Sequence, residues 1–257
     1  GCIANWNCMS TQQDEQLTEI DESNWAVDLA LLHDVDGYDP EAIAIANSTL
    51  PISIKVGDTF DNFFETIHDG NMWDKNMSQC DNGLPVAKCV DWLTSVDELV
   101  STDRVIRNNN YIHLVVGNAD GLSVYYPDID QDDTTGRQNY HKLPTCKWML
   151  KSSLCIGLSM PAIVKVKTFG NHKAVTLGDN GAVHLWENLD TDHYENVKVS
   201  ELCDGVKDAA SCFDIRKDST TLVIAIKTTE TNKAPHVLLF DTVTKVSKPV
   251  MLYGHTN

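Results

Sequence analysis

The residues best placed to do chemistry are oxygen donors in the run His33–Glu41, HDVDGYDPE. Asp34, Asp36, Asp39 and Glu41 fall at short intervals around Gly37, and hard carboxylate oxygens at such spacing suit Ca²⁺. Calcium is the one cofactor this sequence suggests. The same acids also suit a turn between two strands held by Asx hydrogen bonds. A second acidic run, Pro127–Gly136, brings Asp128, Asp130, Asp132 and Asp133 together. It has no central Gly and no terminal Glu, so a solvated loop accounts for it as well as a cation does. For catalysis the chain has no GxSxG, HExxH, GxGxxG or P-loop. Its nine histidines are scattered, and His113, His184 and His236 sit in strand-like runs, where packing is the ordinary role. Abundant carboxylates prevent any glycosidase pair from being singled out.

The eight cysteines form four close pairs: Cys2/Cys8, Cys80/Cys89, Cys146/Cys155 and Cys203/Cys212. The last three pairs each enclose eight residues, which marks an internal repeat. Regular, even cysteines point to disulfides Cys2–Cys8, Cys80–Cys89, Cys146–Cys155 and Cys203–Cys212, and to an oxidising compartment. Each would close a short loop worth about 2.5–3 kcal/mol on the chain-entropy model. Thiolate zinc sites favour CxxC spacing, which is absent. The sequons Asn47-Ser48-Thr49 and Asn76-Met77-Ser78 add two candidate glycosylation sites, Asn47 and Asn76. A chain opening on Gly1 without an initiator Met fits a processed N-terminus or a trimmed chain. Together these features predict a secreted glycoprotein.

The elements that must position these residues are strands. Behind each pair's second cysteine come four short β-rich runs separated by turn residues. After Cys212 they are FDIRKD, TLVIAIKT, HVLLFDT and KPVMLYG; after Cys155 they are AIVKVKTF, HKAVTLGD, AVHLWEN and ENVKVSEL. After Cys89 the runs are VDWLTSVDELV, IHLVVGN, LSVYYPD and a weaker NYHKL; after Cys8 they are WAVDLALLHD, EAIAIAN, ISIKVGD and NFFETIHD. The middle two runs read as a hairpin, with turns at Asp179-Asn180-Gly181 and Asp120-Gly121. Four strands repeated four times predict an all-β, four-bladed β-propeller with four antiparallel strands per blade and a disulfide at each blade junction. The blades fall at 9–79, 90–145, 156–202 and 213–257 of one domain, 1–257, with insertions at 9–24, 66–79 and 101–110. The N-terminal pair would mark the junction where the ring closes, bringing the termini together. A β-sandwich would satisfy the strands without the fourfold register. First strands would line the axis, where Asp28, Asp91, Lys165 and Asp214 loosely correspond. Trp186 and Phe240 are expected to pack the blades.

Three families share parts of this pattern. HLWEN (184–188) and LLFDT (238–242) resemble the third strand of WD repeats, and LYGHTN (252–257) resembles their Gly-His element, although no Trp-Asp pair occurs. Asp34-x-Asp36-Gly37-x-Asp39 is similar to the calcium loops of FG-GAP propeller blades, which implies a calcium loop leading into a strand. The blade number resembles that of hemopexin-type domains, without their motifs.

Composition bounds the partners. With 257 residues and 42% hydrophobic content the chain can bury a full core. A net charge of −17 disfavours nucleic acid and anionic membrane surfaces. No apolar run reaches the roughly 18 residues of a membrane span. The function that follows is a secreted, disulfide-stabilised propeller acting as an extracellular binding or assembly module for a protein, glycan or small molecule. The alternatives are a secreted enzyme, of hydrolase, oxygenase or luciferase type, with its site in the central funnel, and a structural subunit of an extracellular polymer.

Overall fold

The computed structural model describes residues 26–33, 40–56, 83–101, 104–129, 143–155, 160–170, 172–189, 196–205, 208–215, 220–228 and 236–251. Within them the chain is all-β, in four antiparallel sheets. The first holds β1 (Ala26–His33), β2 (Pro40–Asn47) and β3 (Ser53–Val56). The second holds β4 (Cys89–Ser101), β5 (Arg104–Asn118), β6 (Gly121–Asp128) and β7 (Lys147–Leu154). The third holds β8 (Ile163–Phe169), β9 (Lys173–Gly178), β10 (Ala182–Glu187) and β11 (Lys198–Asp204). The fourth holds β12 (Asp208–Ile215), β13 (Thr221–Thr228), β14 (His236–Asp241) and β15 (Val246–Met251). Each is a meander in chain order.

Alternation makes these strands two-faced. On β13, Leu222, Ile224 and Ile226 are buried while Thr221, Val223 and Lys227 are exposed. Such faces stack sheet on sheet, through three apolar clusters. Ala30, Leu32, Ala42, Ala44 and Ile54 meet Val90, Trp92, Ile112, Leu114 and Trp148 between the first and second sheets. Cys89, Val115, Leu122, Val124 and Leu154 meet Ile163, Val166, Ala174 and Trp186 between the second and third. Phe169, Val175, Leu185 and Cys203 meet Phe213, Leu222, Ile224 and Phe240 between the third and fourth. Trp186 and Phe240 thus pack as their sequence setting suggests. The hairpin turns also form as expected, with Gly121 at φ 135° and Gly181 at φ 85°, conformations that a side chain disfavours.

Several expectations are overturned. KWMLKSSL is no loop between cysteines but β7, the fourth strand of the second sheet, so that sheet runs past residue 145. Cys146 and Cys155 therefore flank the eight-residue strand β7, which even with its bulge at Lys151 holds them far beyond the ~7 Å between Cα atoms that a disulfide allows. Both are thiols. Cys203 and Cys212 are thiols too: Cys203 is buried between the third and fourth sheets, whereas Cys212 is exposed on the opposite side of β12 from Phe213. Cys89 is a buried thiol whose Sγ donates to the Ile163 carbonyl at 3.7 Å, so the Cys80–Cys89 bond is not formed; Cys80, Cys2 and Cys8 lie outside the described residues. The insertion expected at 101–110 is strand as well. β4 and β5 continue past β6 as a two-stranded ribbon ending at the pair Ser101↔Arg104. The fourth run of the first blade, NFFETIHD, lies outside the described residues.

Candidate functional site

The inner strands β1, β4, β8 and β12 bring together the four polar residues picked out for the axis. Asp28, Asp91 and Lys165 each reach from their own sheet to the next, and Asp214 is met from the sheet before it. Asp28 on β1 accepts a hydrogen bond from the Val90 N–H of β4 at 3.0 Å. Asp91 on β4 accepts from the Thr168 N–H of β8 at 2.6 Å and from the Thr168 hydroxyl at 3.0 Å. Lys165 on β8 donates to the Phe213 carbonyl of β12 at 2.8 Å, its ammonium 4.9 Å from the Phe213 ring centre. Lys167, two residues on and on the same face, pairs with Asp214 of β12. Trp92 adds a bond in the reverse direction, its indole N–H donating to the Ala30 carbonyl at 3.1 Å.

Local irregularities aim two of these side chains. The β1–β2 register slips between Ala26 and Asp28, and the β8–β9 register slips between Ile163 and Lys165. Each slip is a bulge of one extra residue, Val27 and Val164, which turns outward at 49% and 39% exposure. The bulge re-aims the next residue toward the neighbouring sheet. No period-2 reading of the sequence would place it.

Electrostatics couple the set. Burial raises the Asp28 pKa above the ordinary carboxylate value; hydrogen bonds from Val90 and Leu29 and the charge of Lys165 oppose this, and Asp91 adds to it. Lys167, through its hydrogen bond, holds Asp214 below the usual range, with Lys165 helping. Burial, then the charges of Asp28 and Asp91, push the Cys89 thiol far up, so it is no nucleophile. Among the described residues no group of three or more His, Cys, Asp or Glu is arranged to hold a metal ion. Asp28, Asp91 and Asp214 are engaged by backbone N–H groups, the Thr168 hydroxyl and the Lys167 ammonium.

No known family model matches this chain, and no curated protein does. The likeness to WD repeats accordingly stands on strand position alone. HLWEN and LLFDT do lie on third strands, β10 and β14. Glu187 stands where a WD repeat has Asp, and it accepts Lys173 at 3.1 Å and Lys245 at 2.7 Å. Burial would raise its pKa, but the two ammonium groups outweigh burial and lower it. Asp241 caps the β14–β15 turn, its Oδ1 accepting from Val243 and Thr244 at 2.8 and 2.9 Å. The Trp186 indole donates to Thr176 Oγ1 at 2.8 Å, inside the core.

The remaining candidates divide between packing and regions not described. His113 and His184 are buried on β5 and β10. Burial, with Lys151 adding to it, lowers His113 to about 3, and burial lowers His184 against the pull of Glu201. His113 meets Tyr126 edge-on at 6.4 Å. His236 lies on β14. Asn47 is 4% exposed and its amide donates to the Ile45 and Pro51 carbonyls at 3.4 and 3.2 Å. The amide nitrogen a glycan would use is engaged in these bonds; Asn76 lies outside the described residues. So do Asp34, Asp36 and Asp39 of the calcium loop, while Glu41 falls on β2. Asp128 ends β6, exposed, and Asp130, Asp132 and Asp133 are outside.

Proposed function

We propose that the four sheets are blades of a β-propeller fanned about β1, β4, β8 and β12, and that the molecule works as a binding and assembly module. The observation that carries this is the relay of inner-strand clasps. Asp28, Asp91 and Lys165 each bond the inner strand of the following sheet, which is how blades are held at a common centre. Their chemistry goes into the scaffold, and function moves to what the scaffold displays. The exposed end of the relay, with Lys167 at 33% and Asp214 at 71% exposure, offers a polar site for a protein, glycan or small molecule. An extracellular setting, expected from the cysteine pairs and sequons, stays a proposal beside the thiols of Cys89, Cys146, Cys155, Cys203 and Cys212, and mapping of disulfides and glycans on the native chain tests it.

The test is a glycan and peptide array probed with the whole chain and with Lys167→Glu. Specific binding that the variant weakens at least about tenfold supports the proposal. Chemical turnover of a retained compound, or binding indifferent to the variant, overturns it.

A further inference from the structure

We infer that the joint between the second and third sheets is an acid-sensitive joint, one that loosens in mild acid while the joints on either side of it hold. The inference does not need the ligand-binding proposal. Its ground is where the buried imidazoles lie. On β5, Ile112, Leu114 and Val116 pack toward the first sheet, so His113 and Val115 point to the third. On β10, Val183 and Leu185 pack toward the fourth sheet, so His184 and Trp186 point to the second. Both imidazoles are thus set in one joint, His113 at 5% exposure and His184 at 8%. Such a place holds an imidazole in its neutral form, because charging it there strips an ion of its water. The ionisable side chains on this face are Cys89 and Asp91 of β4, Tyr126 of β6, and Glu201 and Asp204 of β11, with Lys151 at the bulge of β7. Strands β8 and β9 turn Lys165, Lys167 and Lys173 the other way, toward the fourth sheet. Burial, and then Lys151, act against charge on His113; burial of His184 outweighs the pull of Glu201.

The neighbouring joints answer acid differently. His113 and His184 are both lowered from 6.5, so what they contribute is complete above pH 6.5 and is lost as pH falls below it. Between the first and second sheets the buried acid is Asp28. Its pKa is raised, so its contribution grows as pH falls. Between the third and fourth sheets the bridging acids are Glu187 and Asp214. Both are lowered, so their contributions last until pH falls below 4.5 and 3.8 respectively. From pH 6.5 down to 4.5, therefore, these groups weaken the middle joint and spare the outer two. The first and second sheets keep their shared apolar cluster, and so do the third and fourth. What opens is a division into two halves. It uncovers Val115, Val124, Ala174 and Trp186 and breaks the Asp91–Thr168 clasp.

The molecule carries its own reporters. Cys89 is buried in the middle joint and Cys203 in the joint between the third and fourth sheets, whereas Cys155 is exposed. The experiment is thiol labelling of the whole chain with dithiodipyridine, a reagent that works in acid, at pH 7 and pH 5. Peptide mass spectrometry gives each rate relative to that of Cys155 in the same sample, which cancels the pH dependence of the thiol chemistry. The expected result is that the relative rate of Cys89 rises at least about tenfold at pH 5 while that of Cys203 does not. His113→Gln and His184→Gln should each reduce the rise, and the double variant should remove it. Circular dichroism at both pH values reports folding. A rise of Cys89 and Cys203 together overturns the inference, since the whole chain would then be unfolding. So does a Cys89 rate indifferent to pH, or a rise kept in full by the double variant. If a variant does not fold, the comparison of Cys89 with Cys203 in the parent chain decides.

Discussion

At the scale of single residues, burial has turned titratable side chains into structural ones. Asp28 is the clearest case. Its folded pKa is raised, so the folded state holds the proton more tightly than the unfolded chain. Its contribution to stability is greatest at low pH, and falls as pH rises from the unfolded value of 3.8 through the folded one. Asp28→Asn keeps an acceptor for Val90 and removes the buried charge. Its melting temperature should equal or exceed that of the parent at pH 7, and the gain should vanish near pH 3. Asp28→Ala loses the acceptor and should cost about 1–2 kcal/mol by denaturant titration. His113 has the opposite sign of pH response. Its folded pKa is lowered from 6.5 to about 3, so its stabilising share is complete above pH 6.5 and is lost as pH falls through that window. This single group should make unfolding at pH 5 easier than at pH 7 by about 2 kcal/mol. His113→Gln should flatten that part of the pH profile, which denaturation of both proteins at the two pH values will show.

At the scale of elements, close approach between sheets decides which residues fit. Gly117 lies in the face of β5 that the third sheet covers. A Cβ there would meet Ile163 Cγ2 at 2.6 Å and run into the Cys89 sulfur. Gly117→Ala should therefore destabilise by about 1–3 kcal/mol, measured as a lower denaturant midpoint at unchanged slope. In the fourth sheet the residue paired with Cys212, as Gly117 is paired with Cys89, is the half-buried Ala225, and Ala225→Gly should change stability by less than about 1 kcal/mol. The bulges at Val27 and Val164 act at the same scale. Each costs one ladder position and gains a clasp to the neighbouring sheet.

At the scale of the whole molecule, stacked apolar faces and inner-strand clasps hold the sheets together without cross-links among the described cysteines. A denatured sample kept from reductant should titrate at least five thiols, those of Cys89, Cys146, Cys155, Cys203 and Cys212. Reductant should leave the melting temperature unchanged as far as these residues are concerned. Peptide mapping that recovered Cys146 joined to Cys155 would contradict the strand assignment of β7. The sequence by itself determined the all-β class, most runs that form the strands of the third and fourth sheets, and the hairpin turns at Asp120-Gly121 and Asp179-Asn180-Gly181. Alternation of apolar residues and Asn-Gly or Asp-Gly turns are local signals, legible wherever one face of a strand is buried. It also ranked Asp28, Asp91, Lys165 and Asp214 together, because recurrence along the chain reflects recurrence in space. What each of them holds was decided only by the tertiary structure, since the partners lie in other sheets: Val90 is 62 residues from Asp28, and Thr168 is 77 from Asp91. The cysteine pairs show the same limit. Their spacing is regular, but the pairs fall at different places: Cys146 and Cys155 flank β7, whereas Cys203 lies on β11 and Cys212 on β12, since two cysteines nine positions apart can flank a loop or a strand. The backbone between Cys146 and Cys155 is extended, and an extended backbone keeps its ends apart.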